Sequence, residues 1–267
     1  MLRTMPNALA GKSLVIIGGT TGIGLSAARA FIAAGAQVVV VGRKPESVAA
    51  AEVVLGSKAL AFAGDATKPE TAERAIGEAI SAFGGFHGLY HVAGGSGRKD
   101  GDGPLHELTD EGWAATLELN LTSVMLSNRA AVRQFLARNT PGSILNVSSV
   151  LASHPSPRYF ATHAYATAKA GIVGLSRSLA AYYADAGIRV NVLAPALVET
   201  PMSQRAAQDE KIQRFIQTKQ PLDGGRIAQP EDLDAAAVYF LSDASKFCTG
   251  QVLSVDGGWS VSEGQHG

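Results

Sequence analysis

Residues 14–24 read Leu-Val-Ile-Ile-Gly-Gly-Thr-Thr-Gly-Ile-Gly, and helix-forming residues follow as far as position 34. The apolar run predicts a buried strand, and the glycines predict a tight turn into a helix. Gly18 permits the turn, Gly22 lets the backbone approach a pyrophosphate, and Gly24 allows close packing of the helix on the strand. This order predicts a dinucleotide site with phosphates at the helix N-terminus, although a ligand-free glycine turn has the same pattern.

The rest of the chain repeats this alternation of strands and helices. Apolar runs at 38–41, 60–62, 87–92, 143–147, 189–193 and 252–255 predict six further strands, and helical patterns occupy 69–83, 109–137, 164–181 and 230–241. We therefore predict one α/β domain over residues 1–267, a Rossmann-type, doubly wound parallel sheet of about seven strands with helices on both faces. Polar, irregularly periodic residues at about 199–226 predict a mobile substrate lid.

The composition excludes several classes of partner. The 267 residues include 23 basic and 23 acidic side chains, so nothing attracts nucleic acid or an anionic membrane. The single cysteine, Cys248, excludes an intrachain disulfide and a thiolate metal cluster. No apolar run reaches the ~20 residues that span a bilayer, and residues 1–12 do not resemble a signal peptide. We expect a cytoplasmic protein that acts on a small molecule.

The end of the second strand bears on the choice of cofactor. In sheets that bind NAD, a carboxylate at this place accepts the ribose hydroxyls, whereas an arginine accommodates a 2′-phosphate. Here the chain reads Gly42-Arg43-Lys44, with no acid. The pattern favours NADP(H) over NAD(H), although both cations could simply be solvated loop charges.

A second set of polar residues predicts acid–base chemistry. Tyr165 and Lys169 are four residues apart in a helical pattern, so their side chains lie on one helical face. The ammonium is expected to lower the pKa of the phenol, because a nearby cation favours the phenolate. Ser149 follows the predicted strand at 143–147, at the carboxyl end where open α/β sheets bind ligands.

Other polar or small residues fall near the predicted strand ends. Asp65 is expected either to contact adenine or to cap the next helix. Ala93 and Gly94 leave room for a ribose, and Asn120, among apolar neighbours, either braces its helix or holds a water molecule.

Metal binding is not expected. Asp100 and Asp102 lack the further carboxylates of a calcium site, and His154 and His163 lack a third ligand. His154, Tyr159 and His163 flank the predicted active-site loop and are candidates for substrate recognition.

Taken in order, the glycine turn, Asn120, Ser149, Tyr165-x-x-x-Lys169 and Asp256-Gly-Gly258 resemble the short-chain dehydrogenase/reductase family over residues 10–260. The resemblance implies that Tyr165 is the proton donor and acceptor, Lys169 its partner and a ribose ligand, and Ser149 the group that orients the substrate. It also implies a water relay at Asn120. The cofactor contacts that it implies are Gly18, Thr20, Thr21, Gly22, Ile23, Gly24, Arg43, Lys44, Asp65, Ala66, Ala93, Gly94, Tyr165, Lys169, Pro195, Val198 and Thr200.

The chain departs from the family pattern in places. His91-Val92 stands where an Asn pair usually steadies the central strand, Ile17 replaces a Thr, and Ala196 replaces a Gly. The longer loop before Tyr165 leaves open whether Ser148 or Ser149 is the catalytic serine.

The predicted function is reversible hydride transfer between NADP(H) and a ketone, aldehyde or secondary alcohol, with Tyr165 as general acid and base. The alternative is a catalytically idle NADP(H)-binding sensor or scaffold with the same fold. A homotetramer is expected by family analogy alone.

Overall fold

Seven parallel strands form the sheet in the computed structural model, which describes residues 7–265. In chain order they are β1 (Ser13–Ile17), β2 (Gln37–Gly42), β3 (Ala59–Ala63), β4 (Gly88–His91), β5 (Gly142–Val147), β6 (Ile188–Pro195) and β7 (Val252–Val255). Their order in the sheet is β3-β2-β1-β4-β5-β6-β7. The predicted doubly wound parallel sheet is therefore confirmed, and every predicted strand is present.

Helices cover both faces of the sheet. They are α1 (Gly22–Ala33), α2 (Pro45–Leu55), α3 (Pro69–Phe83), α4 (Asp110–Leu117), α5 (Ser123–Arg138), α6 (His163–Tyr183), α7 (Gln204–Gln208), α8 (Glu210–Lys219) and α9 (Asp234–Leu241). The long helix predicted at 109–137 is interrupted, because a π-helical turn at Glu118–Thr122 joins α4 to α5. Within residues 7–265, no helix has the length and apolar character needed to cross a membrane.

The strands read as continuous apolar runs because both faces of the sheet are buried. Along β1, Leu14 and Ile16 pack into the core beneath α1 and α9, whereas Val15 and Ile17 pack into the core beneath α3 and α5. This alternation follows from the two-residue period of a strand.

The order in which successive strands are added to the sheet reverses at β1. This strand pairs with β2 on one side and with β4 on the other, so the chain crosses over between them. Because helices leave the two halves in opposite directions, a crevice opens at the carboxyl ends of β1 and β4, where such sheets bind ligands.

The segment predicted as a mobile substrate lid is partly helical. It contains α7 and α8, and α8 buries Ile212, Phe215 and Ile216 in a small apolar cluster with Trp259. The indole N–H of Trp259 donates a hydrogen bond to the carbonyl of His154 at 3.0 Å, which ties the end of the chain to the loop after β5. Helix α8 was not predicted from the sequence, because polar residues cover its outer face and outnumber the buried apolar ones.

One acidic side chain is buried behind the glycine turn. Asp234, at the start of α9, is 5% exposed, and its Oδ2 accepts a hydrogen bond from the Ser26 hydroxyl of α1 at 2.8 Å. Its Oδ1 is buried and has no hydrogen-bond partner within residues 7–265. Burial raises the pKa of this carboxyl from 3.8 to about 7, and the Ser26 hydrogen bond offsets part of that rise.

We predict that Asp234→Asn stabilises the protein above neutral pH. Because the pKa in the folded state lies above its unfolded value, the wild-type protein loses stability as the pH rises from about 4 to about 7. The loss amounts to ~4 kcal/mol at most. Thermal unfolding at pH 5 and pH 8 should show an advantage of the variant that grows with pH, with the exposed Asp185→Asn as control. Parallel pH profiles of the wild type and Asp234→Asn would contradict it.

Candidate active site

The glycine turn after β1 is too closely packed for side chains. Gly18 has φ +88°, and a Cβ there would lie 2.6 Å from the backbone nitrogen of Ala93 beyond β4. A Cβ on Gly24 would lie 2.0 Å from the carbonyl oxygen of Gly18. The first contact brings together the ends of β1 and β4, and the second seats α1 against the turn, as the predicted roles of the glycines require.

The N-terminus of α1 leaves its backbone donors available. Thr21 is the N-cap residue, makes no side-chain capping bond, and no acidic residue follows in the first turn. Gly22, at φ +50°, lies beside Thr200, since a Cβ on it would be 3.1 Å from the Thr200 methyl group. The N–H groups of the first helical turn and the lack of side chains at Gly22 and Gly24 fit a pyrophosphate. Thr20 is buried beneath Gly42, and its hydroxyl lies 3.1 Å from that of Ser47.

Arg43 and Lys44 are exposed after the end of β2. Asp65 accepts hydrogen bonds on Oδ1 from the backbone N–H and the hydroxyl of Thr67, at 2.9 and 2.8 Å. The Thr67 N–H lowers the pKa of Asp65, and the charge of Arg43 contributes. Asp65 is thus a turn residue and does not cap α3, whose N-cap residue is Lys68.

Ser149, Tyr165 and Lys169 meet at the carboxyl edge of the sheet. The Ser149 hydroxyl interacts with the Tyr165 phenol, and the ammonium of Lys169 lies 5.5 Å from the centre of the Tyr165 ring. Lys169 is 3% exposed and donates a hydrogen bond to the carbonyl of Val147, at the end of β5, over 2.9 Å. The structure therefore brings these three predicted residues together.

The prediction that the Lys169 ammonium lowers the pKa of the Tyr165 phenol is wrong. Burial raises the pKa of Tyr165 to about 12, and the interaction with Ser149 offsets only part of that rise. Burial also lowers the pKa of Lys169 to about 8. Both shifts have one cause, since removal from water disfavours the charged form of each group.

The two neighbouring serines have different partners. The hydroxyl of Ser148 is 1% exposed and donates a hydrogen bond to the backbone carbonyl of Lys169 at 2.7 Å. The hydroxyl of Ser149 accepts from the N–H of Leu151 at 3.2 Å and also interacts with Tyr165. Only the Ser149 hydroxyl is directed at the phenol, which the sequence could not distinguish.

Asn120 lies fully buried in the π-helical turn between α4 and α5. Its Oδ1 accepts from the N–H of Gly95, and its Nδ2 donates to the carbonyls of Gly95 and Thr116, at 3.0, 2.9 and 3.0 Å. Gly94 lies between Asn120 and Lys169, because a Cβ there would be 2.7 Å from Asn120 Oδ1 and 3.5 Å from Lys169 Nζ. Asn120 thus braces the strand end beside the lysine.

His91 fills the place of the Asn pair that the family pattern contains. Its Nδ1 lies 2.7 Å from the hydroxyl of Ser127, and its Nε2 lies 3.3 Å from that of Ser123, both on α5. Burial lowers the pKa of His91 to about 3, and the nearby charge of Lys169 lowers it further. A neutral imidazole therefore ties β4 to α5, so the support that the sequence analysis found missing is present in another form.

Two other buried polar features escaped the sequence analysis. Asn146 of β5 and Asn128 of α5 exchange amide hydrogen bonds at 2.9 Å, and Asn146 also donates to Ser176 of α6 at 3.0 Å. The Asn146 amide inside the apolar run of β5 was a sequence signal of buried hydrogen bonds, because a buried amide needs partners. Asp102, whose carboxylate accepts hydrogen bonds from the first turn of α6, gave no such signal because its partners are distant in sequence.

The candidate substrate residues have different surroundings. The Tyr159 ring packs 5.2 Å from that of Phe215 in the lid segment. His154 Nδ1 lies 2.9 Å from the Ser153 hydroxyl, and His163 is exposed at the start of α6.

The remaining predicted cofactor contacts lie near the strand ends. Pro195 ends β6 and Val198 is buried after it, whereas Ile23, Ala66 and Ala93 are partly exposed near the turns. Within residues 7–265, no three His, Cys, Asp or Glu side chains are grouped as metal ligands.

A crevice over a glycine turn, with a buried lysine beside a tyrosine, is an arrangement typical of nucleotide-binding α/β proteins. A family model described as enoyl-(acyl carrier protein) reductase matches residues 18–260. The chain is 34% identical over 254 residues to 2,5-dichloro-2,5-cyclohexadiene-1,4-diol dehydrogenase of Sphingobium indicum, covering 95% of this chain and 98% of that protein. It is 35% identical over 259 residues to cis-4-hydroxycyclohexanecarboxylate dehydrogenase of Sinomonas cyclohexanicum, covering 96% and 100%.

The fold comparison agrees with the sequence comparison. A short-chain type dehydrogenase/reductase from Mycobacterium ulcerans superposes with a TM-score of 0.86 at 31% identity, over 96% of this chain and 92% of that one. The chain belongs to the short-chain dehydrogenase/reductase family. It is therefore an oxidoreductase, which confirms the predicted class of enzyme.

Proposed function

We propose that the protein transfers a hydride reversibly between NADP(H) and a ketone or secondary alcohol, with Tyr165 as general acid and base. The observation that carries the proposal is the meeting of Ser149, Tyr165 and Lys169 beside the glycine turn. A bound nicotinamide supplies or accepts the hydride at the carbon atom of the substrate.

The three side chains divide the remaining work. In the reducing direction the Tyr165 O–H bond breaks, and its proton passes to the substrate oxygen, which gains the electron pair of the carbonyl double bond. Ser149, rather than Ser148, orients that oxygen, because the Ser148 hydroxyl is bonded to the backbone. Lys169 returns a proton to the phenolate, a role that suits an ammonium with a pKa of about 8.

The relatives indicate the class of substrate. Two of them are named for hydroxyl groups carried by six-membered rings, one a cyclohexadiene diol and the other a cyclohexanecarboxylate. The lid segment adds apolar side chains, including Phe215, to the cluster that also contains Trp259 and Tyr159. An alicyclic secondary alcohol, or the corresponding ketone, is the substrate class that we propose. A screen of such compounds against short acyclic alcohols, followed by absorbance of the reduced nicotinamide, tests it.

Tyr165→Phe should abolish turnover, with a fall in kcat of at least ~100-fold, the usual contribution of a positioned acid or base. Because burial holds the phenol protonated and the Lys169 ammonium that returns its proton has a pKa of about 8, wild-type carbonyl reduction should stay constant up to about pH 7 and fall above about pH 8, whereas alcohol oxidation should rise with pH. Initial rates in both directions measure this. Tyr183→Phe, on the same helix, is the matched control. Undiminished turnover by Tyr165→Phe would refute the role of the phenol.

The preference for NADP(H) rests on the end of β2. Arg43 and Lys44 are exposed there, and β2 ends at Gly42 without an acidic residue that would repel a 2′-phosphate. A guanidinium binds phosphate through paired, charge-assisted hydrogen bonds. Asp65 lies near enough for Arg43 to affect its pKa, but its carboxylate is engaged by Thr67.

Arg43→Ala should weaken NADPH binding by about 10-fold or more, because hydrogen bonds to charged groups are worth ~1.5–3 kcal/mol. The affinity for NADH should change by less than about twofold, since NADH has no 2′-phosphate for Arg43 to bind. Fluorescence titration of both reduced cofactors measures the two dissociation constants. Arg138→Ala, an exposed substitution at the end of α5, is the control. Equal losses for NADPH and NADH would contradict the assignment.

A homotetramer is the expected assembly, by family analogy. The support within this chain is the outer strand β7, which exposes Leu253, with the strongly exposed Phe247 just before it. An edge strand of a sheet that exposes apolar side chains favours association. Light scattering should give four times the chain mass for the wild type and a smaller mass for Leu253→Lys, with Val53→Lys as control. A monomeric wild type would contradict the proposal.

A further inference from the structure

The N-terminus of α6 is capped by a residue from a distant loop. Asp102 Oδ1 accepts a hydrogen bond from the N–H of Ala164 at 3.0 Å, and Oδ2 accepts one from the N–H of Tyr165 at 2.9 Å. These are the donors that a neighbouring N-cap side chain would normally satisfy. Thr162, the N-cap residue, makes no side-chain capping bond. The carboxylate comes from 63 residues before Tyr165 and is 5% exposed.

The loop that carries Asp102 is held firmly on both sides. The N–H of Asp102 donates to the carbonyl of Gly97 at 3.0 Å. Gly97 has φ +69°, and a Cβ there would lie 2.2 Å from the hydroxyl oxygen of Thr116 on α4. The same loop begins at Gly95, whose N–H and carbonyl are both bonded to Asn120. Asp102 therefore joins the segment braced by Asn120 to the first turn of α6.

This connection acts on the backbone of the proposed acid. Tyr165 is the third residue of α6, so its N–H would have no partner within the helix. A carboxylate bonded there fixes the first turn and is favoured by the positive end of the helix dipole. Because the phenol extends from this turn, its placement beside Ser149 depends on the turn staying in position.

We infer that Asp102 is a positioning residue, which holds the first turn of α6 so that the Tyr165 phenol stays aligned with Ser149 and the substrate oxygen. The inference rests on the proposed function. It predicts a loss of turnover without a loss of cofactor binding, because the residues bonded to Asp102, namely Gly97, Ala164 and Tyr165, lie outside the glycine turn and the end of β2. Small displacements of a reacting group can reduce a rate by about 100-fold.

Three variants test the inference. Asp102→Ala removes both acceptors, and Asp102→Asn keeps the shape but leaves one oxygen to accept one of the two N–H groups. Asp100→Asn, an exposed change in the same loop, is the matched control. We expect kcat to fall about 10-fold or more in Asp102→Ala and by less in Asp102→Asn, with the dissociation constant of NADPH within about twofold of wild type. Hydrogen exchange of a peptide spanning residues 162–168 should be faster in both variants of Asp102.

Each result of these measurements either supports or overturns the role of Asp102. A kcat for Asp102→Ala within twofold of Asp100→Asn, or a fall in kcat matched by the loss of NADPH affinity, would overturn the inference. If Asp102→Ala does not fold, an unchanged kcat in the isosteric Asp102→Asn would overturn it, and a reduced kcat with normal NADPH binding would support it. A wild-type protein without turnover would refute the proposed function instead. Exchange at 162–168 would then still decide whether Asp102 holds α6, since unchanged exchange rules that out.

Discussion

Two hydrogen bonds between the end of β5 and α6 fix the site on which the chemistry depends. The Lys169 ammonium donates to the carbonyl of Val147, and the hydroxyl of Ser148 donates to the carbonyl of Lys169. Each bond satisfies a buried polar group. Leaving such a group without a partner lowers the free energy of unfolding by about 1–3 kcal/mol. Together they hold α6 at one register against β5. That register determines which serine faces the tyrosine, because Ser148 is used by the backbone contact and Ser149 is left to interact with Tyr165.

Burial explains the electrostatics of the site more fully than the pairing of charges does. The pKa of Tyr165 is raised, and the pKa values of Lys169 and His91 are lowered, in each case chiefly because burial disfavours the charged form. The phenol is therefore kept neutral, which suits the donation of a proton to a substrate oxygen. Neutral His91 can bridge Ser123 and Ser127 of α5 without placing a second positive charge beside Lys169.

Much of the fold could be predicted because its signals are local. The apolar run before Gly18 and the other six runs each identified a strand, and alternation with helices gave a parallel sheet. Two helical segments were predicted less accurately, because their local sequence patterns do not show how they fold. The π-helical turn around Asn120 keeps a helical pattern of residues, so the sequence showed one continuous helix. Helix α8 shows mostly polar residues because only one narrow face is buried.

The sequence by itself determined the types of residue in the site and their order, since the spacing of Tyr165 and Lys169 follows from helical periodicity and Gly18 from the demands of a tight turn. Only the tertiary structure decided the partners of those residues. The contact of Asp102 with α6, the use of Ser148 by the backbone and the sign of the Tyr165 pKa shift depend on distances between segments far apart in the chain. Desolvation and close packing set these properties, and neither is a function of local sequence.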